Sequence, residues 1–318
     1  MLVAVPTHRV LAGVPATVTT PILDQNGALN VSASGVTVEV TKLNGTNVVT
    51  AGTAATVTAG VASTSLTAAQ TAQTDVLTIK WTSSGQLVAT STVRIVSAYY
   101  ASVAEIRSSD PSIESNPEKY SDRKIIAVRN DAETLFEHIT GRSFVPAYRI
   151  DRIAGSARDR LVLPTWDLRK LRSVKVFQTG TTFTSWTQAE LDSVPSSAAG
   201  VAIRTDGYVW AGSYPSVLAG LGTVGTITND AENLNLLIEW EHGLDALPAD
   251  LKVAFLRWVR HQLNASMSGI PDRATAIVDG PGGGSFRIST PGMSGAITGL
   301  PEVDEALKRY RRARLTIA

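Results

Sequence analysis

Val96-Ser97-Ala98-Tyr99-Tyr100-Ala101-Ser102 is the stretch on which the fold turns. Residues 1–97 hold seven Asp, Glu, Lys and Arg side chains (Arg9, Asp24, Glu39, Lys42, Asp75, Lys80 and Arg94) and a single Trp, Tyr or Phe, Trp81. The other fifty of the fifty-seven charges, and five of the six tryptophans, follow the seam. Val, Thr, Ala, Ser and Gly in short alternating runs make up the first part, whereas the second carries helix signals and dense arginine. One hydrophobic core does not change composition so abruptly. The seam therefore predicts two separately folding modules joined by an exposed linker near 97–102.

Working outward to the N-terminal side, apolar residues recur at every second position. Val36-Thr37-Val38-Glu39-Val40, Leu77-Thr78-Ile79-Lys80-Trp81 and Val93-Arg94-Ile95 all show the strand period with one buried face. Turn signals at Asp24-Gln25-Asn26-Gly27, Asn44-Gly45, Ala59-Gly60 and Ser83-Ser84-Gly85 separate the runs. About seven short strands with such turns predict an immunoglobulin-like sandwich over 1–97, with Trp81 filling the space between its sheets.

On the C-terminal side, Ser102-Val103-Ala104-Glu105 is a capping box for a helix over 102–109. Asn116-Pro117 predicts the start of a helix over 117–140, ended by Gly141, with a stripe of Tyr120, Lys124, Val128, Ala132, Leu135, Phe136 and Ile139. Pro248 opens another over 248–265 with a stripe of Leu251, Phe255, Trp258, Val259 and Gln262. Between them, strands at 148–153, 161–163, 174–177, 201–203, 208–210 and 236–240 predict a β-rich insertion over 144–241. It is too long for a helix–helix loop. The predicted class is thus multidomain α+β: an all-β sandwich (1–97), then a helical module with a β-rich insertion (98–279).

Residues 280–318 read as a third part. Gly280-Pro281-Gly282-Gly283-Gly284 predicts a hinge, Phe286-Arg287-Ile288 a short strand, and 301–314 a terminal helix with Glu302, Asp304 and Glu305 at its start. Lys308, Arg309, Arg311, Arg312 and Arg314 crowd its end, an order that matches the helix dipole.

Bulk composition limits the function. A net charge of +1 gives no global pull towards nucleic acid or membrane, and zero cysteines exclude disulfides, thiolate metal sites and a Cys nucleophile. The start Met1-Leu2-Val3-Ala4-Val5-Pro6 does not read as a signal peptide, and no apolar run reaches the ~20 residues of a spanning helix, so a soluble protein is expected. His8, His138, His242 and His261 have no metal-binding spacing, the glycine run lacks a phosphate-loop ending, and no GxSxG elbow is present. Glu137-His138, Glu241-His242, Asp245/Asp250 and Asp304/Glu305 read as ordinary structural or surface groups. The expectation is a non-enzyme with no catalytic residue, metal or cofactor.

Three stretches carry a resemblance. Asp131-Ala132-Glu133-Thr134-Leu135-Phe136-Glu137-His138-Ile139-Thr140-Gly141-Arg142-Ser143-Phe144 resembles the end of the first long helix of head–tail connector (adaptor) proteins of tailed bacteriophages. Leu247-Pro248-Ala249-Asp250-Leu251-Lys252-Val253-Ala254 is similar to the start of that family's second helix. Thr298-Gly299-Leu300-Pro301-Glu302-Val303-Asp304-Glu305-Ala306-Leu307-Lys308-Arg309-Tyr310 resembles the closing segment in phages of actinobacteria. The resemblance spans roughly 99–318. Against the family's compact helical members, the β-rich insertion and the sandwich are departures.

The resemblance implies a structural virion protein, assembled in the host cytoplasm and located in the neck. It implies a homo-oligomeric ring, usually dodecameric, that joins the portal protein to a tail-side stopper protein and extends a channel for packaged DNA. It implies no membrane partner. Within that reading, Phe286, Ile288, Leu300, Val303, Leu307 and Tyr310 are expected to dock on the portal or a neighbouring copy, ordering only on binding. Lys308, Arg309, Arg311, Arg312 and Arg314 are expected to meet DNA or an acidic partner. Two other readings stay open at this level: a capsid-decoration or tail-surface protein whose sandwich binds host glycans, and a carbohydrate-active enzyme with an accessory immunoglobulin-like module.

Overall fold

A computed structural model of the chain describes residues 7–23, 28–30, 34–155, 160–164, 167–177, 183–198, 201–203, 236–264, 274–278, 285–288 and 297–311. It is mixed α+β, as the sequence predicts. The chain divides into two compact units, Met1–Ala98 with Val145–Leu244, and Tyr99–Phe144 with Asp245–Ala318.

Eight strands build the sandwich: β1 (Thr7–Leu11), β2 (Ala16–Pro21), β3 (Val36–Lys42), β4 (Asn47–Ala54), β5 (Thr56–Thr58), β6 (Val61–Leu66), β7 (Asp75–Ser83) and β8 (Gln86–Val96). One sheet has the order β1-β8-β7-β3-β4 and the other β2-β6-β5, with β1 parallel to β8. This is an immunoglobulin-like arrangement of two facing sheets. Val36, Val38 and Val40, then Leu77, Ile79 and Trp81, then Val93 and Ile95 all point into one core, as their alternation requires. Trp81 is fully buried, and its indole N–H donates to Ser91 Oγ at 3.1 Å. The Ser91 hydroxyl also bonds that of Thr20 on the opposite sheet. A hydroxyl bridge thus satisfies the one polar atom of the core tryptophan. The predicted turn at Asp24–Gly27 lies outside the described residues.

Past the seam come α1 (Val103–Ser108), α2 (Pro111–Glu114) and α3 (Asp122–Thr140). The capping box is present: Glu105 N–H donates to Ser102 Oγ at 3.1 Å and Ser102 N–H to Glu105 Oε2 at 2.8 Å. The predicted start at Asn116-Pro117 is corrected. Asn116 spends its amide on Ser112 O at 2.8 Å, and Ser121 caps α3 instead, accepting from Lys124 N–H at 3.4 Å. Gly141 ends α3 with φ at +70°, a left-handed geometry that a glycine adopts without strain. The buried face is Ile125, Arg129, Ala132, Glu133, Phe136 and Thr140, rotated from the predicted stripe, and Lys124 is exposed. Periodicity missed this because two buried positions are charged. Glu133 Oε1 accepts the Tyr100 N–H at 2.9 Å, while the Arg129 guanidinium lies 3.4 Å from the centre of the Tyr99 ring and 3.9 Å from Glu133. With Tyr100 and Ala101 buried, the seam is not the exposed linker that its composition suggested.

The insertion contains β9 (Ala147–Ile153), β10 (Arg160–Val162), β11 (Leu168–Phe177), β12 (Phe183–Ser185), α4 (Gln188–Asp192), β13 (Val201–Ile203) and β14 (Leu236–His242). Its main sheet has the antiparallel order β12-β11-β14-β9, with β10 and β13 paired separately. The strand predicted at 208–210 lies outside the described residues. Along β14, Leu236, Ile238 and Trp240 enter a core with Leu168, Leu171, Val174 and Leu191. The alternate residues Glu239 and Glu241 take the other face.

That second face joins the insertion to the sandwich, where β9 lies against β7 and β8. Glu239 Oε2 accepts from the Tyr148 hydroxyl at 2.6 Å and from Asn44 Nδ2 at 3.2 Å. Arg172 donates to Thr74 Oγ1 at 2.7 Å, pairs with Glu241 at 2.6 Å and stacks over Tyr148 at 5.0 Å. Burial, with the bond to Glu239, pushes the Tyr148 phenol above the ordinary tyrosine range. The sequence divides the chain at 97/98 and 279/280; in space the insertion belongs with the sandwich. Tyr148→Phe should cost about 1–3 kcal/mol, since it strips a buried carboxylate of a donor. Urea unfolding should also show sub-additive losses for Tyr148→Phe combined with Asn44→Ala, because both act on Glu239. Strict additivity would separate the two contacts.

The last elements are α5 (Ala249–Asn264), β15 (Ala274–Val278), β16 (Ser285–Ile288) and α6 (Pro301–Tyr310). On α5 the buried face is Leu251, Ala254, Phe255, Val259 and Leu263. Trp258 is only half-buried, a correction to the predicted stripe. Phe255 meets Phe136 and Tyr100 edge-on at 5.4 and 5.3 Å, and these rings centre the helical core. Strands β15 and β16 form an antiparallel pair, so the strand predicted at 286–288 finds its partner in its own chain. The predicted glycine hinge at 280–284 lies outside the described residues.

Candidate functional site

The terminal helix is the part of the chain to which the sequence assigns docking. Pro301 starts α6, but Leu300 cannot cap it. Asp304, buried in the first turn, folds back instead. Its carboxylate accepts from Ile297 N–H at 3.0 Å, Thr298 N–H at 2.8 Å and Thr298 Oγ1 at 2.8 Å. The helix entry is thereby fixed.

Val303, Ala306 and Leu307 are buried against α5 and α3. At the far end Tyr310 is clamped twice. Its ring meets Phe144 edge-on at 5.6 Å, and its hydroxyl donates to Asp250 Oδ1 at 2.7 Å. Arg309 lies 3.6 Å from the same carboxylate and 2.8 Å from Glu305. The Tyr310 hydroxyl, with the Leu251 N–H and Arg309, holds the Asp250 carboxyl below its usual range. Burial and the bond to Asp250 raise the Tyr310 phenol.

A carboxyl whose pKa falls on folding adds stability above its unfolded value and loses it as pH drops through the folded one. The difference in Tm between the wild type and Asp250→Asn should therefore be present at pH 6 and vanish below the carboxylate range. A difference that persists at acid pH would mean that the clamp does not depend on the charge.

The predicted docking residues thus divide. Val303 and Leu307 fill the chain's own helical core and offer no side-chain surface to another chain in this conformation. An amphipathic helix beside an apolar groove of its own subunit closes that groove first. Leu300 and Tyr310 are half-buried, and Lys308, Arg309 and Arg311 are exposed. The helix stops at Tyr310 rather than 314, with Arg311 extended. Arg312 and Arg314, and the side chains of Phe286 and Ile288, lie outside the described residues.

One groove that the sequence did not flag opens beside Leu300. Its volume is about 330 Å³, lined by Arg257, Arg260, His261, Asn264 and Leu300. The four α5 residues follow i, i+3, i+4, i+7 spacing, a second face of the helix that a search for apolar stripes overlooks. Arg257 pairs with Glu302 and Arg260 lies 3.8 Å from Asp110, so each cation already has a carboxylate.

Three of the carboxylates read from the sequence as structural or surface groups make local contacts: Asp250 and Asp304 anchor α6, and Glu137 accepts from Ser143 Oγ at 3.2 Å. Among the described residues no three His, Asp or Glu side chains group as metal ligands, and no helix is long and apolar enough to cross a membrane.

No protein-family model and no curated protein matches the chain. Five chains of solved structures do. One is described as the neck of an empty GTA particle computed with C6 symmetry; it is 14% identical, with a TM-score of 0.37, over 70% of this chain and 97% of its own. Another comes from the crystal structure of the ZIG-8–RIG-5 IG1–IG1 heterodimer, monoclinic form. It is 12% identical, with a TM-score of 0.21, over 29% of this chain and 83% of its own. Likenesses of this strength carry no inference about the function of this chain.

Proposed function

We propose that this chain is a structural subunit of a virion neck, a head–tail connector that closes into a ring between the portal and the tail. One observation carries the reading. The three stretches that resemble connector proteins are far apart in sequence, yet Tyr310 of the third touches Phe144 of the first and Asp250 of the second. Phe136 of the first also packs on Phe255, one residue beyond the second. Unrelated chance matches have no reason to assemble one core; parts of one ancestral helical unit do.

In this reading the helical unit is the wedge of the ring, and neighbouring wedges meet through a heterologous interface. Of the exposed cations, Arg309 already pairs with Glu305 and Asp250, and Lys308 and Arg311 are the ones this reading offers to an acidic partner or to DNA phosphate. Such contact would be salt-sensitive. The partners proposed are the portal, a tail-side stopper protein and further copies of the chain.

Negative-stain imaging of the purified chain, alone and mixed with portal rings, tests the proposal. Closed rings stacked coaxially on the portal are expected. A chain that stays monomeric with portal, and that is absent from the neck of virions probed with gold-labelled antibody, would overturn it.

A further inference from the structure

The groove beside Leu300 is lined by hydrogen-bond donors. Arg257, Arg260, His261 and Asn264 share one face over about 10 Å of α5, with Leu300 as an apolar wall. Asn264 is fixed by a buried partner: the Tyr120 hydroxyl, on a side chain 1% exposed, donates to Asn264 Oδ1 at 2.6 Å. With its oxygen so engaged, the amide has its N–H donors left, and among the described residues neither meets an acceptor. Arg260 stands one turn earlier. Its carboxylate neighbour, Asp110, lies 3.8 Å away, longer than a hydrogen bond, and already caps α2 by accepting from Ser112 N–H at 2.8 Å. Among the described residues the guanidinium of Arg260 therefore makes no hydrogen bond. Arg257 pairs with Glu302, but both side chains are exposed, and such a pair costs little to exchange.

A cation near the end of a helix offsets its dipole, which accounts for Arg260 and His261. It does not account for Arg257, a turn further back, or for an amide whose donors stand on the same face. Donors without acceptors select an acceptor. Arg260 and Asn264 are one turn apart, a spacing at which a single carboxylate accepts from both. The groove also discriminates among sources of that oxyanion. A single nucleic-acid strand stacks its bases on Phe, Tyr or Trp, and the lining has none. A duplex lays its convex backbone on protruding cations, whereas these line a recess. Leu300 offers a wall to the methylene stem of a Glu side chain, a contact that a free anion would not use.

We propose that this groove is a carboxylate-recognition site for a Glu side chain on an acidic segment of a partner protein. Arg260 and Asn264 hold the carboxylate, Leu300 packs on its stem, and Arg257 exchanges Glu302 for the incoming segment. Every residue of the site belongs to the unit built from Tyr99–Phe144 and Asp245–Ala318, so one chain holds it complete.

Binding of end-blocked, fluorescein-labelled hexaglutamate to the full-length chain would be followed by anisotropy, with hexaglutamine as the neutral control. The wild type should prefer hexaglutamate, and salt should weaken the complex. Asn264→Asp keeps the acceptor for Tyr120 and replaces the amide donors with a charged oxygen; it should weaken binding at least tenfold at an unchanged Tm. If its Tm falls, Arg260→Gln, which leaves Asn264 and Tyr120 untouched, serves as the second variant with the same expected loss. A wild type that does not distinguish the two peptides, or variants that bind as the wild type does, would overturn the site. Inorganic phosphate or a short DNA duplex whose binding falls in the variants, where that of hexaglutamate does not, would overturn the peptide ligand in favour of a free anion or of DNA.

Discussion

Phe255→Ala is expected to destabilise the helical unit by about 3–5 kcal/mol, the range for deleting a fully buried aromatic from a packed core. The ring is completely shielded from solvent and lies between Tyr100 and Phe136, so its removal empties the junction of α3, α5 and the segment entering α1. Hydrogen exchange should show the loss as reduced protection of the α3 and α5 amides. Trp258→Ala on the same helix should cost less than half as much, because that side chain is only half-buried. Equal losses at the two positions would contradict the helix phase described here.

Glu133→Ala should have an effect of the same size, about 3–5 kcal/mol, for a different reason. It strands the nearly inaccessible Arg129 without its carboxylate and leaves the Tyr100 N–H with no acceptor. Glu133→Gln keeps an acceptor for Tyr100 and should recover part of the loss in urea unfolding. If Ala and Gln behave alike, the charge matters and the bond to Tyr100 does not. If both are silent, the buried carboxylate has no role in holding the start of the helical unit.

Local rules were legible wherever a single residue type serves one local need. The capping box at Ser102, the stop at Gly141 and the alternation around Trp81 are all present in the structure. Strands β4 and β5 were not resolved as separate elements, because Thr50–Thr58 is neither clearly alternating nor clearly broken. The phase of α3 failed on Arg129 and Glu133, whose burial is favourable only because Tyr99 and Tyr100, some thirty residues earlier, supply the partners. Of the candidate site, the terminal helix was foreseen and its location was not. Amphipathicity says that a helix must cover its apolar face, and is silent on which chain supplies the cover.

By itself the sequence determined the two-part composition, the β-sandwich, the caps at Ser102 and Gly141 and the three connector-like stretches, since each depends on contacts within a few residues or on a short repeating period. The tertiary structure alone decided that the insertion pairs with the sandwich through Glu239 and Arg172, and that Val303 and Leu307 close their own core. It alone brought Phe144, Asp250 and Tyr310 together. These are contacts between residues up to about two hundred positions apart, selected by fit and partner availability in the folded chain, and no local pattern encodes them.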